Sequence, residues 1–214
     1  MLSRIVSFLS LLLLLLLPAG CQLFAAAAAV TPQLESARYN GLAGQSIGVM
    51  VWADRGISID WPTIQLDMAG SIQSKLKTAQ AAKTKELKDS TFPVEPASIV
   101  RYQRDHPETE SQDITEVAPK LNVSRLVYVE ISDFRTRSAQ AIELFRGSID
   151  ATVKIVEVNN GQAKIAYQEE IRAVFPKKSQ PEGSIDGQDY PIYLGTIDSF
   201  TDSVMQMLMK HEVN

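Results

Sequence analysis

The sequence predicts an α/β (α+β) domain on one mixed β-sheet of about five strands with three helices, in the order β-α-β-α-β-β-β-α. Three observations predict it. Ser46 to Trp52 is almost continuously apolar, the pattern of a strand covered on both faces. Ile64, Met68, Ile72 and Leu76 recur every four residues, the stripe of a helix with one buried face. Two alternating runs, Gly147 to Val158 and Gln162 to Phe175, flank Asn159-Asn160-Gly161, a strong hairpin-turn signal. Strands separated by helices imply parallel crossovers, and the hairpin adds antiparallel members, so the sheet is mixed.

The elements follow in order. Ser46 to Trp52 reads as a central strand. After a loop from Ala53 to Ile59, Asp60 is placed to cap the first helix, Pro62 falls in its first turn, and the Lys-rich stretch Thr78 to Ser90 extends it before Phe92-Pro93 and Pro96 end it. Ala97 to Tyr102 reads as a short second strand, followed by a charged loop, Arg104 to Gln112. Asp113 and Glu116 resemble a capping box for a short helix with the apolar face Ile114, Val117, Ala118 and Leu121. Pro119 predicts a kink or early end to that helix, because it removes a backbone donor. Arg125 to Phe134 is the third strand. In the hairpin's outgoing strand Ile165, Tyr167, Ile171, Ala173 and Phe175 share one parity. Pro176 to Leu194 reads as a long polar loop, and Thr196 as the cap of a last helix whose stripe is Ile197, Phe200, Val204, Met207, Leu208 and His211.

Composition bounds the function. The chain has 214 residues, 21 Lys+Arg, 25 Asp+Glu and a formal net charge of −4. Its basic residues are scattered, which argues against a general nucleic-acid binder, since phosphate neutralisation needs clustered cations. A single cysteine excludes an internal disulfide framework. Residues 1–20 have the anatomy of a secretory signal: Arg4, an apolar stretch from Ile5 through Leu17, then Pro18, Ala19 and Gly20. The apolar stretch is shorter than the ~20 residues of a membrane span. The expected division is a signal peptide at 1–20, a flexible tether at 21–44, and one α/β domain at 45–214.

Leu17-Pro18-Ala19-Gly20-Cys21 resembles the bacterial lipobox, with Pro18 where a branched apolar residue is usual and Leu17 one place further back. The resemblance implies that Cys21 is acylated on sulfur, carries palmitate-type chains and becomes the mature N-terminus. One acyl chain gives marginal anchoring, so several are needed to hold the protein on the bilayer. Gln22 stands where the proteobacterial sorting scheme places Asp for inner-membrane retention, which implies the outer membrane, facing the periplasm.

Chemistry-bearing constellations are sparse. His106 lies in the charged loop and His211 near the C-terminus, neither with Cys, Asp or Glu at metal-ligand spacing, so both read as solvated or cap-like. Asp54 and Asp133 form the one enzyme-like pair, placed at the carboxyl ends of two strands where a divalent cation can be held. Turn-forming and capping roles fit them better. Met207 belongs to the last helix's core stripe, with Met205 and Met209 at its rim. Tyr190 and Tyr193 are candidates for anchoring a protein partner, with packing on their own domain as the competing role. No cofactor and no metal site is expected.

Val117 to Ile131, together with the hairpin from Ile149 through Val158 and Asn160-Gly161, resembles CsgG-like and TolB N-terminal-like envelope proteins, and with the first strand and last helix the likeness spans about residues 45–212. It implies a lipid-tethered periplasmic accessory domain, of the kind seen in curli-secretion lipoproteins and LpoB-like activators, and not an enzyme. Three functions compete. The first is a non-enzymatic envelope lipoprotein that binds a protein partner. The second is a subunit of a homo-oligomeric secretion pore, disfavoured because Thr136 to Arg146 is too short and too charged for a membrane-inserted hairpin. The third is a metal-dependent hydrolase using Asp54 and Asp133.

Overall fold

In chain order the elements are β1 (Gln33–Glu35), β2 (Ile47–Ala53), α1 (Arg55–Asp60), α2 (Ile64–Ala81), α3 (Pro96–Asp105), α4 (Ile114–Val117), β3 (Arg125–Arg137), β4 (Phe145–Asn159), β5 (Gln162–Phe175), α5 (Asp189–Leu208) and β6 (His211–Val213), with single 3₁₀ turns at Lys85–Leu87, Pro107–Glu110 and Ala118–Leu121. The computed structural model describes residues 33–139, 141, 143–177, 183 and 187–213. The signal peptide, Cys21 and the first part of the expected tether lie outside the described residues, as do residues 178–182 and 184–186 of the expected polar loop. Among the described residues no helix is long and apolar enough to cross a membrane.

The chain divides into two units. The smaller takes in Met1–Ser36 and Lys210–Asn214, and in it β1 and β6 pair antiparallel, Glu35 opposite His211. The larger, Ala37–Met209, holds a four-stranded sheet in the order β2-β3-β4-β5. Its β2 and β3 are parallel and the other pairs antiparallel, so the predicted mixed sheet is present. Ala37 to Gly44, assigned by sequence to the tether, belongs to this unit: Tyr39 and Leu42 are buried in its core, and the Arg38 amide donates to the Met207 carbonyl at 2.9 Å.

Helices cover both faces of the sheet. On one face α2 and α5 pack Met68, Ile72, Leu76, Phe200 and Met207 against Val49, Val129, Ile149 and Ile155. On the other, Ile99, Ile114, Val117 and Leu121 pack against Met50, Leu126, Tyr128 and Val156. Every member of the predicted α2 stripe is buried. The hairpin turn forms where Asn160 (φ 52°) and Gly161 (φ 79°) both take the left-handed conformation that a tight two-residue turn requires.

The structure corrects several elements. Ala97 to Tyr102 is helix α3, which Pro96 opens and whose Ile99 and Gln103, four residues apart, turn toward β2. The predicted central strand β2 is therefore an edge strand. It reads as central because its outer side is occupied: the Ile47 amide donates to Thr91 O at 2.8 Å, and Gln103 Nε2 donates to Val51 O at 3.0 Å. The expected loop after β2 is helix α1, and Asp60 ends it where it was expected to cap the next helix. Asp113 does cap α4, accepting from the Thr115 amide at 2.8 Å, and Pro119 falls in the 3₁₀ turn that follows. α5 begins at Asp189, ahead of the predicted cap Thr196, whose buried hydroxyl instead donates to Ile192 O at 2.7 Å. Pro191 is tolerated there because first-turn amides have no intrahelical acceptor. His211 lies in β6 and not on the helix stripe. A bulge between Ile155 and Val156 breaks the single parity read for β5: Tyr167 faces Ile155, whereas Ile165 falls opposite Val156 and stays 39% exposed.

Candidate functional site

The N-terminal turns of α5 meet the junction between α1 and α2, and aromatic side chains concentrate there. Trp61 closes α1, its amide donating to Ile57 O at 2.8 Å. Its ring stacks on Tyr193, with centroids 4.8 Å apart and planes 17° apart, and Tyr190 continues the stack at 6.2 Å and 16°. Phe134 of β3 meets Trp61 and Tyr193 edge-on at 5.7 and 5.5 Å, each at 69°. Such pairs contribute about 0.5–1.5 kcal/mol each beyond their buried area. Tyr193 is 2% exposed and donates its hydroxyl to Asp67 Oδ2 at 2.7 Å; burial and that carboxylate push its phenol well above the usual range. Thr63 donates to the same oxygen at 2.7 Å, so Asp67 is held from two sides.

Two candidate tyrosines thus part company. Tyr193 packs on its own domain, and Tyr190 is 67% exposed. Leu194, four residues beyond Tyr190 on the same helix face, and Ile59, two residues before Trp61, are exposed as well. The backbone beneath is fixed by Asp189, which takes a two-pronged contact from Arg137 (Nε to Oδ1 2.8 Å, Nη2 to Oδ2 2.6 Å) and a hydroxyl donation from Thr136 at 2.7 Å. Arg137 above all, with Thr136, holds the Asp189 carboxyl below the usual range. The Arg137 guanidinium also lies 3.7 Å over the Phe145 ring. A shallow depression bordered by Trp61, Arg135 and Arg137 joins the aromatic stack to the end of the sheet.

Beyond that depression, the sheet face bearing the charged side chains carries an open cavity of about 240 Å³ lined by Arg135, Arg137, Arg146 and Arg172 together with Asp133 and Asp150. A bulge in β3 between Ile131 and Asp133 produces this row. It shifts the alternation by one, so that Phe134 enters the core while Asp133, Arg135 and Arg137 share the opposite face. Arg135 Nε contacts Asp133 Oδ1 at 3.0 Å, and Arg172 Nε lies 3.6 Å from Asp150 Oδ1.

The two aspartates read together from sequence have separate roles. Asp54 caps α1, accepting from the Ile57 amide at 2.9 Å, a contact that contributes ~1 kcal/mol. Asp133 lies inside β3, which runs on to Arg137, and not at its end. It lines the arginine cavity and Asp54 does not. Among the described residues no group of three or more His, Cys, Asp or Glu is placed to hold a metal ion. His106 Nδ1 lies 3.1 Å from Glu108 Oε1 on the surface, and in the smaller unit His211 Nε2 lies 3.5 Å from Glu35 Oε2. Met207 and Met209 are buried, and Met205 packs against the same core. Cys21 lies outside the described residues. Sequence reasoning missed Trp61, which stands between the two residues it used, Asp60 and Pro62, and the arginine row, whose period-2 spacing is visible but whose face the bulge decides.

No family model and no curated protein matches the chain. Among solved structures, the PelC dodecamer from Paraburkholderia phytofirmans is similar at 11% identity and a TM-score of 0.43, over 84% of this chain and 96% of that one. The hypothetical protein CT253 from Chlamydia trachomatis is similar at 11% identity and a TM-score of 0.43, over 77% and 93%. Lipoprotein GNA1162 from Neisseria meningitidis is similar at 14% identity and a TM-score of 0.42, over 76% and 96%.

Proposed function

We propose that the chain is a non-enzymatic, lipid-anchored accessory protein of the bacterial envelope that binds a protein partner. The observation that carries this reading is the Trp61–Tyr193–Tyr190 stack, whose outer ring, Tyr190, is exposed with Leu194 one helical turn on, while Trp61 at the other end lines a depression with Arg135 and Arg137. Trp, Tyr and Arg are the side chains that dominate binding energy at protein interfaces. Here the stack is rigid before any partner arrives, because Asp67 fixes Tyr193 and Asp189 fixes the start of α5. Rigid aromatic area binds with little entropy loss. Cys21, through its lipobox-like setting, supports the lipid anchor, and Gln22 after it supports the outer membrane, facing the periplasm.

Crosslinking in intact cells followed by purification tests the partner. The expected result is a recovered envelope protein whose yield falls ~10-fold in a Tyr190→Ala, Leu194→Ala variant, the loss of one hot-spot cluster. Recovery of the same protein at undiminished yield from that variant moves the partner surface elsewhere.

A further inference from the structure

We propose that the arginine-lined cavity at the end of the sheet binds a phosphate group carried on a small polar scaffold. The cavity shares Arg135 and Arg137 with the depression beside Trp61, but phosphate binding there does not require a protein partner. In β3 to β5 the sheet's charged face is ordered in rows: Asp133, Asp150 and Arg172 lie side by side across three strands, and Arg135, Ser148 and Val174 form the next row. Like-charged Asp133 and Asp150 directly opposite one another are unfavourable in a plain sheet. Arg135 and Arg172 relieve that repulsion and leave donors over. Arg135 gives only Nε to Asp133, so both of its terminal nitrogens remain for another acceptor, and Arg172 reaches Asp150 only at 3.6 Å with its side chain 73% exposed. Paired terminal nitrogens in a planar fork match the oxygens of a phosphate.

The backbone is shaped for this. Register shifts between Ile131 and Asp133 and between Arg135 and Arg137 flank Asp133 and Arg135, and bulges are the device by which a strand re-aims side chains at a site. Ser148, opposite Arg135, adds a hydroxyl to the lining, while Arg137 is already committed to Asp189 and frames the rim. A cavity of about 240 Å³ has room for one phosphorylated headgroup or small ester. The phosphate can come from a lipid headgroup or from a soluble ester, and the same donors serve both.

Calorimetric titration of the full chain in uncharged detergent tests the site with two probes, glycerol 3-phosphate and dioctanoyl phosphatidylglycerol. Saturable binding of at least one is expected, weakened ~10-fold or more in an Arg135→Gln, Arg172→Gln variant and tightened several-fold in Asp150→Asn, which removes the carboxylate facing Arg172. A gain in affinity cannot arise from misfolding. Binding of glycerol 3-phosphate assigns a soluble ester, and binding of the lipid alone assigns a headgroup. The proposal is overturned if neither probe binds, or if binding is unchanged in both variants.

Discussion

Replacing Cys21 with Ala is expected to abolish acyl labelling and to remove the protein from the outer-membrane fraction. The effect is all-or-none because the chain has one cysteine and hence one thiol for a thioether-linked lipid. Membrane affinity rises by roughly 0.8 kcal/mol per buried methylene, so losing several chains removes many powers of ten in partitioning, far beyond what the domain's surface charges can restore. Cys21→Ser is expected to behave as Cys21→Ala does, since the hydroxyl is not the sulfur nucleophile that the lipid donor requires. Metabolic labelling with palmitate, followed by fractionation, reads both variants. A Gln22→Asp variant should keep the label and shift to the inner membrane on a density gradient.

Gly147→Ala is expected to destabilise the larger unit by ~3 kcal/mol, read as a lowered urea midpoint at unchanged slope. At Gly147 the helix α5 lies close against β4. A Cβ there would meet Thr196 Oγ1 at 1.7 Å, Thr196 Cβ at 3.0 Å and Ile192 Cγ2 at 3.1 Å. Thr196 has no room to turn away, because it is fully buried and its hydroxyl is bonded to Ile192 O at 2.7 Å. The strand or the helix must move. Thr196→Ala removes the worst clash, so in the double variant the two costs should fall short of their sum by about 1–2 kcal/mol. Strict additivity would mean that strand and helix are not in close contact at this point.

Much of this fold was legible because the relevant signals are local. The run that forms β2, the four-residue stripe of α2, the Asp113 cap and the Asn160-Gly161 turn each act within a few residues, and each is found where the sequence places it. α3 is not legible because Ile99-Val100 is too short an apolar run to separate strand from helix, and what decides it is packing of Ile99 and Gln103 onto β2. The first turns of α5 are not legible as helix because Tyr190, Pro191 and Leu194 carry no buried stripe of their own, and the anchor at Asp189 comes from the distant Arg137. In the candidate site, Tyr190 was legible as an aromatic in a polar context. The arginine row was not, since a single bulge near Ser132 reverses which residues of β3 face outward. The pairing of Asp54 with Asp133 fails for a related reason: β3 continues to Arg137, past Phe134 where the sequence places its end.

The central claim is that the anchored domain meets its partner through the exposed aromatic end. It is tested most directly by a photo-crosslinking residue placed at Tyr190 in the full, anchored chain and irradiated in living cells. One discrete adduct with an envelope protein is predicted, absent when the same residue replaces Gln168 in the middle of β5 and diminished when Trp61→Ala removes the ring beneath the stack. No adduct from position 190, or identical adducts from 190 and 168, would contradict it.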